Sequence, residues 1–130
     1  MKTQRVVFLA VAVGIMMSAS LLAHHTGSFL YTEKTATMKG IVKSWLWSNP
    51  HCVLTLEVTG EDGQVVLWRA ETQAPNSIYL EGYRAKSFKA GDEVTVTLRL
   101  AANGGPFAQL VNAVLPDGTK IGGDGGGRSR

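Results

Sequence analysis

The sequence predicts an all-β fold, and three observations carry that prediction. Glu93-Val94-Thr95-Val96-Thr97-Leu98-Arg99-Leu100 alternates polar and apolar residues without a break, the two-residue period of a half-buried strand. Further runs rich in β-branched and aromatic residues are separated by turn sequences, among them Asn49-Pro50, Gly60-Glu61-Asp62-Gly63 and Asn103-Gly104-Gly105-Pro106. Within the region so punctuated, the stretch that breaks the β pattern is Ala74 to Gly82. Its proline near the start and glycine at the end are the punctuation of a helix of one or two turns.

Taken in order, residues 1–23 read as a cleaved signal peptide. Lys2 and Arg5 precede the apolar run Val6 to Met17, and Leu21-Leu22-Ala23 closes on a small residue suited to signal peptidase. The apolar run is short of the roughly 20 residues a bilayer span requires, and no later segment approaches that length. The mature chain is therefore expected to have no membrane span and to be periplasmic or secreted. Residues 24–34 are an irregular N-terminal arm.

The first strand runs from Thr35 toward Cys52. Met38, Gly40 and Val42 share one face, after which Trp45 and Trp47 take over the inward role. A bulge near Lys43-Ser44 produces such a phase shift and bends the strand, and Gly40 adds freedom to curl. Ser48-Asn49-Pro50-His51 then turns the chain and presents a histidine. The second strand, Cys52 to Thr59, puts Cys52, Leu54, Leu56 and Val58 on the core face, and His51 on the opposite parity with Val53, Thr55 and Glu57. In the third strand, Gln64 to Glu71, the residues Val66, Trp68 and Ala70 share one side, and Arg69 and Glu71 face outward as a solvated ion pair.

A helix over 76–81 follows, then strands at Glu93 to Leu100 and Phe107 to Leu115, and a Gly-rich tail over 119–130 expected to be disordered. Three strands, a short helix and two strands, with a bent first strand, is the order of a five-stranded OB-like barrel. That domain spans 35–118, with the helix between strands 3 and 4.

Composition excludes one function class. The chain has 13 Lys and Arg against 10 Asp and Glu, but Lys2 and Arg5 leave with the signal peptide, so 11 against 10 gives a mature charge of +1. No basic stripe remains to neutralise phosphates, and nucleic acid is not expected as a partner. Trp45, Trp47 and Trp68 accordingly read as core or rim packing rather than base-stacking platforms. Cys52 is the lone cysteine and lies on the core face, so it reads as an inert buried thiol.

The residues also carry a resemblance. His24-His25 directly after the signal peptide, Trp47-Ser48-Asn49-Pro50-His51, Trp68-Arg69-Ala70-Glu71, Pro75-Asn76, Gly82-Tyr83, Lys89-Ala90-Gly91-Asp92 and Leu115-Pro116-Asp117-Gly118 stand in that order. Together they resemble a family of small exported bacterial proteins known as domain of unknown function 6152, from His24 to about Gly118. The resemblance implies export but no activity. Thr26, where members often have serine, and Tyr83, where tryptophan is common, depart from the family pattern without touching the histidines.

The chemistry therefore rests on the three histidines, His24, His25 and His51. Cleavage after Ala23 makes His24 the N-terminal residue, whose amino group and imidazole chelate one metal. A further imidazole from His51 completes the nitrogen-rich, roughly planar set that Cu(II) prefers. Cleavage before Ala23 leaves Ala-His-His, a different copper chelate. Against this stands the plain alternative of a solvated terminus and an ordinary turn, with His51 hydrogen-bonded beside the strand. Replacing His51 with alanine is expected to weaken copper binding while leaving the apo-protein nearly as stable. The sequence has no nucleophile elbow, metalloprotease helix or phosphate loop, and no serine has an identifiable partner base, so an enzyme is not expected. Two function classes follow: a copper-binding module using His24, His25 and His51, or a metal-free module that binds a protein or small-molecule ligand with its barrel face and Trp47 rim.

Overall fold

The computed structural model describes residues 30–123, and its longest strand, β1 (Tyr31–Leu46), is shared between two partners. Its first part pairs antiparallel with β4 (Glu93–Ala101), through to Ile41 opposite Glu93. From Ile41 onward it pairs antiparallel with β2 (Val53–Thr59). One strand serves both neighbours because it bends where the sequence allows it. Gly40 is buried, and a Cβ there would stand 3.0 Å from the Glu57 carbonyl oxygen and 3.1 Å from Val58 Cγ2, so the absent side chain permits the approach of the two strands. The register slips by one residue between Val42 and Ser44, which is the bulge expected at Lys43-Ser44. Val42 is inward before it and Trp45 packs on the core after it.

β2 turns back into β3 (Val65–Glu71) through Gly60 to Gln64, closed by Gly60 N–H donating to Gln64 O at 2.8 Å, with Gly63 at φ +76°. β3 then pairs in parallel with β5 (Phe107–Val114), setting Arg69, Ala70 and Glu71 opposite Phe107, Ala108 and Gln109. Since β5 is also antiparallel to β4, the order β1-β2-β3-β5-β4 returns to β1 as a ring of five strands, the OB-like arrangement. Helix α1 (Pro75–Ile78) and the 3-10 turn Tyr79–Glu81 lie between β3 and β4, ending at Gly82 with φ +94°. Ile78, Tyr83 and Phe88 from this connection join Leu54, Leu56, Val96, Leu98 and Ala108 in one core.

Three expectations are corrected. Residues 31–34 belong to β1 and not to an arm, because Tyr31 pairs with Ala101. Residues 119–123 do not start a disordered tail: Lys120–Gly122 form β6, antiparallel to β5, and bury Ile121 in the core. The physical reason is the Pro116-Asp117-Gly118 turn. Its Leu115 N–H to Thr119 O bond of 2.9 Å folds the chain straight back, and a single apolar residue in a glycine context then suffices to dock the strand. The Asp117 carboxylate accepts from Thr119 N–H, which holds its pKa below the usual carboxylate range. Third, Glu71 does not pair with Arg69; its partners are Tyr31 and His51. Among the described residues no helix is long and apolar enough to cross a membrane. The signal-peptide segment 1–23, His24, His25 and residues 124–130 lie outside the described residues.

Candidate functional site

His51 stands in the turn between β1 and β2, which is tied to the end of β3 by backbone bonds. Thr72 N–H donates to Cys52 O at 2.9 Å, and Cys52 N–H to Gln73 O at 3.3 Å. Within the turn, the Ser48 hydroxyl donates to His51 O at 3.0 Å, and the Asn49-Pro50 peptide is cis. Cys52, the next residue, points the other way: it is fully buried, and its thiol faces Ser48 O at 3.7 Å. The parity of β2 thus separates an inert thiol from an accessible imidazole, as the alternation implies.

The imidazole is oriented by two groups. Nδ1 lies 2.9 Å from the Thr72 carbonyl oxygen and 3.2 Å from Glu71 Oε1. A carbonyl only accepts, so Nδ1 carries the proton, and in the neutral ring the lone pair is on Nε2. The His51 side chain is 53% exposed, and no described residue bonds Nε2. This is the second-partner arrangement that metal-ligating histidines use, with one ring nitrogen held by a carbonyl or carboxylate and the other free for the ion.

Glu71 extends the chain of contacts inward. Its Oε2 accepts from the Tyr31 hydroxyl at 3.2 Å, and the Tyr31 ring stacks on Phe107 with centroids 5.6 Å apart. Burial raises the Tyr31 pKa, and the Glu71 charge and hydrogen bond raise it further, so the hydroxyl stays a donor. Residues from the start of β1, the end of β3, the start of β5 and the β1–β2 turn therefore meet beside His51. Sequence reading missed this cluster. Glu71 was legible as outward-facing, but Tyr31 fell in the supposed arm, and no sequence signal marks a backbone carbonyl such as that of Thr72.

Chemically, the site offers one preset nitrogen donor with a carboxylate behind it. Among the described residues there is no group of three or more His, Cys, Asp and Glu able to hold a metal ion. His51 is thus the one member of the expected set His24, His25 and His51 whose surroundings are described; His24 and His25 lie outside the described residues.

A second feature lies at the rim. A cleft of about 560 Å³ is bounded by Trp47, by Pro75, Asn76 and Tyr79 of the helical segment, and by Arg84 and Lys86 after it. Trp47 is backed by Trp45 at a centroid distance of 5.9 Å, and Trp45 in turn contacts Tyr83 and Phe88 and donates its indole N–H to Arg84 O at 2.9 Å. Of the residues bounding the cleft, only Trp47 was singled out from sequence as rim.

Comparison with known proteins identifies a family. The model of DUF6152, a family of unknown function, matches residues 12–107. No curated protein and no solved structure matches the chain.

Proposed function

The chain belongs to DUF6152, a family of unknown function, and from that premise we propose that it is an exported binding module that holds Cu(II) through its processed N terminus and His51. The observation that supports this reading is the His51 ring: Nδ1 is committed to the Thr72 carbonyl, which presents Nε2 as a fixed donor. A donor held at the end of a strand loses less entropy on coordination than one on a mobile segment. The rest of the set is the amino group and imidazole of His24, with His25 beside it, nitrogen donors suited to Cu(II). The proposed role is binding: of the described neighbours in the turn, Cys52 is buried and the Ser48 hydroxyl is engaged with the His51 carbonyl.

Cu(II) titration of the exported, processed protein against a competing chelator tests the proposal. The His24→Ala/His25→Ala variant is expected to bind copper at least about a hundredfold more weakly, equivalent to about 2.8 kcal/mol. Unchanged affinity would remove the N terminus from the site. The second reading, a metal-free module that binds a ligand at its Trp47 rim, is favoured by a separate observation, the cleft beside that residue.

A further inference from the structure

The cleft at Trp47 has a chemistry of its own. Its apolar boundary is flat and firmly backed, because Trp47 rests on the Trp45, Tyr83 and Phe88 cluster and Pro75 is fixed at the helix start. Its charged members are Arg84 and Lys86, and among the described residues no carboxylate lines it.

Arg84 is locked in place without being used up. Its Nη1 donates to the carbonyls of Tyr79 and Tyr83, both at 2.7 Å, and its guanidinium carbon lies 3.6 Å from the centroid of the Tyr79 ring. Two of the five N–H donors of a guanidinium are thereby spent. The other three, on Nη2 and Nε, have no partner among the described residues. They form the edge that engages a carboxylate with two parallel bonds. Lys86 is exposed and makes no hydrogen bond or ion pair among the described residues, which leaves a second cation free to move toward the same group.

We infer that this cleft is a binding site for a small aromatic carboxylate, with its ring against Trp47 and its carboxylate on Arg84 and Lys86. The inference rests on the metal-free reading in placing a ligand at the Trp47 rim, and it is independent of the histidines. The volume falls within the range of roughly 300–1,000 Å³ typical of small-molecule sites, so a one- or two-ring acid is accommodated. The preset guanidinium favours such a ligand because its side-chain entropy is already lost before binding. A neutral analogue of the same shape forgoes the charge-assisted bonds and keeps only the apolar contact.

The test uses 2-naphthoate and 2-naphthamide as probes of equal shape, titrated into the processed full chain with the Trp47 indole signal followed by NMR. Naphthoate is expected to saturate and to shift that signal. Naphthamide is expected to bind at least about tenfold more weakly, the difference that about 1.4 kcal/mol makes. Lys86→Gln should weaken naphthoate about threefold to fivefold with no change in naphthamide binding or in the melting temperature, since Lys86 supports nothing in the fold. Equal affinity for acid and amide would overturn the carboxylate assignment while leaving a ligand site at the Trp47 rim. Absence of saturable binding by either probe up to about 10 mM, well beyond the millimolar range of weak site-specific ligands, would overturn both.

Discussion

Replacing His51 separates its two functions, provided that the substitution is chosen by nitrogen. His51→Ala removes both the Nδ1 donor to Thr72 O and the Nε2 lone pair. The lost hydrogen bond, in partly buried surroundings, costs about 0.5–1.5 kcal/mol. The contact to Glu71 adds little, because the imidazole is half exposed and screened by solvent. For a domain of this size each kcal/mol lowers the melting temperature by about 4–8 °C, so the alanine variant should melt about 5 °C lower. The sequence alone led to the expectation that alanine leaves the apo-protein nearly as stable; the bond to the Thr72 carbonyl is the reason a larger loss is predicted here.

His51→Asn is the sharper variant. Its side-chain amide can stand where Nδ1 stood and donate to the same carbonyl, but it has nothing at the Nε2 position. The apo-protein should melt within about 2 °C of wild type, while Cu(II) affinity of the processed chain falls at least about tenfold, or about 1.4 kcal/mol. Scanning calorimetry without metal and a chelator competition with Cu(II) give the two numbers. If His51→Asn binds copper as tightly as wild type, His51 is a turn residue and the reasoning from ring orientation to ligand fails.

Other expectations follow from separate parts of the molecule. The exported protein should begin at His24; intact mass decides this, and a start after His25 would eliminate the N-terminal chelate. Ile121→Ala should cost about 2–4 kcal/mol, because Ile121 is 7% exposed and joins the core, and urea unfolding would expose an error if the loss stayed below about 1 kcal/mol. Stability should also fall in alkali. Burial, and secondarily the Glu81 charge, raises the Tyr83 pKa above its ordinary 10.0, so its contribution is whole below about pH 10 and is lost as the pH climbs toward the folded value, the unfolded chain releasing a proton that the native state keeps. Tyr83→Phe should flatten part of that decline in calorimetry between about pH 9 and 11, at little cost near neutrality because the hydroxyl lies 3.5 Å from Val111 O. A decline as steep as that of wild type would assign it to other groups, Tyr31 first.

Alternation and punctuation were enough to determine the five strands of the ring, the short helix between the third and fourth, the bulge at Lys43-Ser44, and the opposite faces of His51 and Cys52. Those are local properties: side-chain period, turn chemistry and backbone freedom act over a few residues and are written in the order of the chain. The parallel pairing of β3 with β5, which closes the ring, joins residues far apart in sequence and has no periodic signature. Docking of β6 turned on one residue, Ile121, finding space in a core that exists only once the ring has formed. The site divides the same way. His51 was visible as a residue type after a turn, but which of its nitrogens is free depends on a main-chain carbonyl at Thr72 and a carboxylate at Glu71, brought beside it by the β2–β3 pairing. Arg84 likewise looks like any surface cation until the fold lays it on Tyr79 and occupies one of its nitrogens with two carbonyls. Residue identity decides what a group can do; only the tertiary contacts decide which of its atoms are left to do it.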